Sequence, residues 1–218
     1  MRQNTLFGGA PLTLTNDRKI HTEVGSLVPT LSVGVEEVYR EAQVTFDLVQ
    51  ELMPEVQHEI IRTESDLYKY LEGIKEDRVY AIDTEVDGLN PRQDRIAGIC
   101  IYSPSQNPAY IPINHEFYEY NLDAIDFVRK LSELDVFSIM HTSEFDQRVL
   151  YNYAQVWVPV SLDVSVGAHM LNENEPKGLK YQWNKYCMNG KYTEKSYGDL
   201  FGGRKFSTFD PERVMVYA

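Results

Sequence analysis

Two carboxylates stand two residues apart in the stretch VYAIDTE (79–85), at Asp83 and Glu85. Side chains alternate between faces along an extended strand, so both acids project from the same side. The residues leading up to them form a continuous apolar centre, the pattern of a strand covered on both faces. Two ionised carboxylates side by side in that setting repel each other and are poorly solvated. A cation between them removes the cost, so the pair points to metal ligation; the competing reading is an exposed strand end. A third acid, Asp146, lies in HTSEFDQRVL (141–150), where Asp146, Val149, Leu150 and Tyr153 recur at helical spacing. The acid therefore points the same way as the apolar stripe. An inward Asp in a first turn can simply cap its helix, but Ser143 is placed for that task, which leaves Asp146 another role.

These acids need a scaffold, and the pattern around them supplies one. Thr63, with Asp66 three residues on, is a capping-box variant opening a helix with the apolar face Leu67, Tyr70, Leu71 and Ile74. The strand bearing Asp83 and Glu85 follows, then a turn (DGLNP), a second strand (RIAGICIYS), a turn (PSQN) and a short third strand (AYIPI). Strands joined by such short turns form an antiparallel meander. Asn121 is the expected cap of the next helix, where Leu122, Ile125, Val128, Leu131 and Leu134 recur every three residues. VFSIM is a fourth strand, and helices are predicted over 143–153, 163–171, 179–187 and from Pro211 to the end. The sum is an α/β fold, a mixed sheet flanked by helices. Residues 1–59 form an extension, loop or disordered up to about residue 34, with a helical pattern over 35–59 that Pro54 weakens. LFGG occurs at 6–9 and again at 200–203, but nothing around it repeats.

Composition narrows the chemistry. The charge of −12, from 33 acids against 21 bases, argues against a protein that grips duplex nucleic acid by its own field. It leaves room for an acidic site that meets phosphate through divalent cations, with substrate delivered by something attached. Cys100 and Cys187, the only two cysteines, are far apart, and none of the five histidines makes a metal-spaced pair, so neither a disulfide nor a zinc site is expected. No Ser/His or Cys/His pair suggests a nucleophile, and FGGRKFS does not supply a phosphate loop. The N-terminal residues lack the apolar centre of a secretory signal, and no apolar run is long enough to span a membrane. The expected location is the cytoplasm, of a bacterium or of a phage-infected host.

The segments VYAIDTEVDGLNP, HTSEFDQRVL and the terminal Tyr217, in this order and at these separations, resemble the three motifs of the DEDD exonuclease superfamily. The likeness is to the proofreading domain of family A DNA polymerases of bacteria and phages; AYIPINH, LNENEPKGLK and YGDLFG add to it, and it covers 60–218. The resemblance implies a ribonuclease H-like sheet and 3′→5′ hydrolysis of single-stranded DNA with two Mg²⁺ or Mn²⁺ ions. Asp83 would bridge both ions, Glu85 would help hold the first, Asp146 would serve the second, and Tyr217 would orient the attacking water. Thr84, Leu89, His141, Thr142 and Phe145 would meet the substrate, Leu89 and Phe145 as wedges against the terminal bases or, equally, as core residues. A polymerase domain in cis or in trans is the implied partner. Thr142 stands where the family usually has Asn, and the closing Asp of the third motif would fall three residues beyond Ala218, so the chain is expected to stop short of its fourth carboxylate. Two alternatives stay open: a stand-alone nuclease similar to RNase D, and a non-catalytic fragment that binds single strands or docks onto a polymerase.

Overall fold

The structure, a computed structural model, describes residues 57–187 and 201–217. Expectations for residues 1–56 lie outside the described residues. Glu59, expected at the end of a helical stretch, instead lies in a short strand.

In chain order the elements are β1 (Glu59–Ile60), α1 (Glu64–Asp77), β2 (Val79–Val86), β3 (Ile96–Tyr102), β4 (Ala109–Pro112), α2 (Ile125–Ser132), β5 (Phe137–Met140), α3 (Ser143–Ala154), β6 (Leu162–Asp163), α4 (Val164–Leu171), α5 (Leu179–Tyr186), a 3₁₀ turn (Phe206–Thr208) and α6 (Pro211–Tyr217). Among the described residues, six strands form one sheet in the order β1-β4-β3-β2-β5-β6. The β2-β3-β4 meander is antiparallel, while β1 runs parallel to β4, β5 to β2 and β6 to β5. The predicted mixed sheet and meander are therefore present; the two-residue strands at its edges were too short to carry a period-two signal.

One face of the sheet carries the main core. Leu67, Tyr70, Leu71 and Ile74 of α1, Phe127, Val128 and Leu131 of α2, and Val149 and Leu150 of α3 pack on Tyr80, Ile82, Ile99, Ile101 and Ile111. Ile74 is fully enclosed, and burying a side chain of that size contributes about 1.5–3 kcal/mol. At the start of α1 the Thr63 hydroxyl accepts the Asp66 N–H at 3.1 Å and donates to the Asp66 carboxylate at 2.6 Å, so the predicted cap forms, with the return bond going side chain to side chain. The opposite face bears a smaller cluster, Ala97, Tyr110, Phe201, Phe206, Phe209 and Val214. No helix among the described residues is long and apolar enough to cross a membrane.

Two capping expectations are corrected. The second helix begins at Ile125, not after Asn121; Asn121 instead holds the preceding loop, accepting the His115 N–H and donating to the carbonyls of His115 and Tyr118. Ser143 is the first residue of α3 rather than its cap, and Thr142, the cap residue, makes no side-chain capping bond. Asn121 is drawn back onto the loop before it while Asp123 accepts the Ile125 N–H, and the Ser143 N–H goes to Asp163, 20 residues away.

Candidate active site

β2 outruns its parallel neighbour. The β2–β5 pairing ends at Ala81 and Ile139, β5 stops at Met140, and the chain turns into α3. Asp83, Thr84 and Glu85 therefore lie where one edge of β2 has lost its partner strand, and the first turn of α3 fills the gap. Asp146 Oδ1 accepts the Thr84 backbone N–H at 3.0 Å and the Thr84 hydroxyl at 2.5 Å. A side-chain carboxylate thus completes the ladder of β2 and is pinned beside the Asp83–Glu85 pair. Asp146 and Glu85 are buried, at 3% and 6% exposure, while Asp83 reaches solvent.

The electrostatics follow from this crowding. Burial pushes the Glu85 carboxyl well above its usual range; Asp83 and Asp146 repel in the same direction, with Lys180 opposing them. Asp146 is pushed up to about 7, by burial first and the charge of Asp83 second, against the Thr84 hydrogen bonds. Asp83 rises to about 6 through desolvation by its surroundings, although part of its side chain is exposed. Cys100, its partner directly across the β2–β3 ladder, has its thiol raised by burial and by all three carboxylates. Three acids hold one neighbourhood under mutual repulsion, an arrangement with a physical use when a cation or a proton joins them. As placed, no three Asp, Glu, His or Cys side chains among the described residues stand close enough to ligate one ion.

The other expected residues divide by surroundings. His141 follows β5 and, with Asp83, borders a largely apolar cavity of about 360 Å³ on the face opposite the main core. Its Nδ1 is buried without a hydrogen-bond partner, and burial lowers its pKa. Thr84 is buried, and its hydroxyl donates to Asp146. Leu89 stands 94% exposed, which removes the core reading for it, whereas Phe145 packs partly against the main core. Tyr217 is the last residue of α6, and the position expected to close the third motif lies outside the described residues.

Asp163, read in the sequence only as the start of a helix, ties two helix starts together. Thr142 adopts the left-handed region (φ 55°, ψ 50°), which aims the amides of Thr142 and Ser143 at Asp163. Those bonds are 3.1 and 2.7 Å long, and the same carboxylate caps α4 through Ser165 and Val166. Burial works against this charge, but the donors of Ser165, Ser143 and Thr142 more than offset it and hold the Asp163 carboxyl well below its usual range. Asp before a helix is a legible cap; that it would cap a second helix from 20 residues away was not legible.

Residues 58–218 match the 3′-5′ exonuclease family as represented by its polymerase A type. The chain belongs to that family. Among curated relatives, this exonuclease domain is similar to DNA polymerase I of Borreliella burgdorferi, 27% identical over 64% of this chain, and of Synechocystis sp., 28% identical over 69% of it. Each match spans 16% of the polymerase, so the chain corresponds to a small part of those proteins. Among solved structures, Trypanosoma brucei RNase D in complex with GMP covers 74% of this chain and 52% of its own at a TM-score of 0.57 and 15% identity. Escherichia coli RNase D covers 65% of this chain and 36% of its own at 0.52 and 18%. These place the fold with the RNase D-like exonucleases, whose sheet is of the ribonuclease H-like kind.

Proposed function

We propose that the domain hydrolyses single-stranded DNA from the 3′ end with the help of divalent cations, as the editing part of a DNA polymerase. The observation that carries this reading is the crowding of Asp83, Glu85 and Asp146 at the open edge of β2, in a chain of the 3′-5′ exonuclease family.

The donor set suits Mg²⁺ or Mn²⁺, because it offers only hard carboxylate oxygens with raised pKa values. Asp83, Glu85 and Asp146 would hold the cations, and both Thr84 bonds fall on Asp146 Oδ1, which makes Oδ2 the atom it can offer. When bound, such ions lower the pKa of a water and offset charge on the scissile phosphate and leaving 3′-oxygen. The rest falls to the chain itself. Thr84 keeps Asp146 oriented, and Asp163 fixes the turn from which α3 starts. His141 borders the cavity, where its ring can donate a hydrogen bond to a phosphate oxygen or accept one from a sugar hydroxyl. Leu89, exposed on the turn after β2, offers an apolar surface to a base. Tyr217, by its place in the third motif, is assigned the orientation of the attacking water.

DNA is the substrate class favoured by the two polymerase relatives, since the likeness to RNase D supports the fold alone. The charge of −12 fits delivery of the strand by a polymerase domain in cis or in trans. The test is a time course on 5′-labelled and 3′-labelled oligonucleotides, DNA and RNA, in Mg²⁺ and in EDTA, using the full-length protein. Expected is a ladder of 5′-labelled DNA shortening from the 3′ end, absent in EDTA and in Asp83→Ala. Preference for RNA would move the domain to the RNase D-like reading, and strand binding without turnover to the non-catalytic one.

A further inference from the structure

α6 carries the expected third motif and puts Met215 on the cavity that Asp83 also borders, and the structure shows how the approach to that helix is fixed. Ser207, in the 3₁₀ turn just before α6, is held by Asp87, two residues past Glu85. One Asp87 oxygen accepts the Ser207 N–H at 2.8 Å and the other the Ser207 hydroxyl at 2.7 Å, across 120 residues of sequence. Asp87 is itself anchored, its N–H donating to the Arg95 carbonyl across the hairpin at 3.0 Å. A second tie lies alongside. His115 Nδ1 is 2.7 Å from the Phe209 carbonyl, an acceptor only, so Nδ1 carries the hydrogen and Nε2 accepts the Tyr110 O–H at 2.9 Å. Asn121 fixes the His115 backbone through both its N–H and its carbonyl, and the Glu116 N–H reaches the Ser207 carbonyl at 2.8 Å.

Tyr110 has its own seat. It lies over Gly98, the cross-strand partner of Glu85, where a Cβ would fall 2.2 Å from the Tyr110 hydroxyl oxygen. Gly98 therefore leaves the room in which Tyr110 meets His115. Phe201, Phe206 and Phe209 add apolar adhesion between this segment and the sheet. Apolar contact is non-directional and tolerates sliding, so the hydrogen bonds set the register. α6 begins at Pro211, two residues after Phe209, and a displacement of the turn would be carried along a rigid helix rising about 1.5 Å per residue to Tyr217.

We infer that Asp87 and His115 are positioning residues that lock the third-motif helix onto the sheet bearing Asp83 and Glu85, Asp87 from the end of β2 and His115 from the β4 side, an inference that rests on the exonuclease reading. Neither touches the reacting atoms; their effect is on where α6 stands. Misplacement by about 1 Å at a reacting centre costs on the order of a hundredfold in rate.

The test compares Asp87→Ala and His115→Phe with the conservative Asp87→Asn and His115→Asn, the latter keeping an amide nitrogen near the place of Nδ1. Amide hydrogen exchange and steady-state hydrolysis of a DNA oligonucleotide are measured on the full-length protein. In Asp87→Ala and His115→Phe, peptides covering 206–217 should exchange about tenfold faster or more, the scale of a lost buried hydrogen bond, while peptides covering 79–86 and 143–154 hold their protection. kcat should fall at least tenfold with KM little changed, and the Asn variants should recover much of both. Unchanged exchange in 206–217, equal loosening everywhere, a KM effect alone, or no rescue by Asn would overturn the inference. A wild-type protein that releases no nucleotides would sink the exonuclease reading and this role together, whereas full kcat in Asp87→Ala and His115→Phe sinks this role only.

Discussion

Asp146 is enclosed beside two other acids, and its carboxyl is pushed up to about 7 from 3.8. The folded state thus holds this proton more tightly than the unfolded chain does, and ionising the group costs stability. That cost is small below the unfolded value near 4, grows as pH rises through the interval up to the folded value, and is complete above about 7. At about 1.36 kcal/mol per pH unit the full displacement corresponds to roughly 4 kcal/mol, and relaxation and water entry reduce the realised figure to about 1–3 kcal/mol. Asp146→Asn removes the charge while its amide oxygen can still accept both Thr84 bonds. In EDTA at pH 8 the variant should therefore be more stable than wild type by about 1–3 kcal/mol in urea unfolding, with the gain shrinking as pH falls and almost gone near pH 4. The same variant should lose hydrolysis. Equal gains at pH 4 and pH 8, or a loss at pH 8, would refute the claim that ionised Asp146 is a net cost to the metal-free domain despite its Thr84 bonds.

Three further outcomes follow from named contacts. Thr142 is β-branched and sits at φ 55°, where Asn is at less disadvantage, so Thr142→Asn should raise stability by about 1 kcal/mol in a melt; a fall would contradict it. Asp163→Ala removes the acceptor for two helix starts and should cost about 2–3 kcal/mol at pH 7. Because the folded carboxyl lies below its unfolded value, this contribution is present above about pH 4 and fades as pH falls, so wild type and variant should converge in acid unfolding. Leu89→Ala, at a side chain 94% exposed, should leave stability within about 0.5 kcal/mol yet raise KM for single-stranded DNA; unchanged KM would remove Leu89 from the substrate surface.

Legibility in the sequence tracked the range of the interactions. The meander was visible because its strands are apolar and separated by turn residues, and α1 because its stripe and its Thr63 cap are both local. The Asp83–Glu85 pair announced itself by the cost of placing two acids on a strand flanked by apolar residues. Asp146 was found by its inward phase, but its bond to Thr84 was not, since that depends on β5 ending before β2 does. Asn121 and Ser143 were misread as caps because each carries the right local chemistry, while the structure gave one a loop to brace and the other a cap from Asp163. Asp87 and His115 were passed over for the same reason: their partners lie 120 and 94 residues away.

The central claim is that Asp83, Glu85 and Asp146 jointly hold the divalent cations on which hydrolysis depends. Titrating Mn²⁺ into the full-length protein and into Asp83→Asn, Glu85→Gln and Asp146→Asn, with free Mn²⁺ followed by its magnetic resonance signal, tests it most directly. Expected is binding by wild type that each substitution weakens by about tenfold or more, as loss of a charged ligand should, with hydrolysis declining in the same variants. Mn²⁺ affinity equal to wild type in all three would contradict the claim.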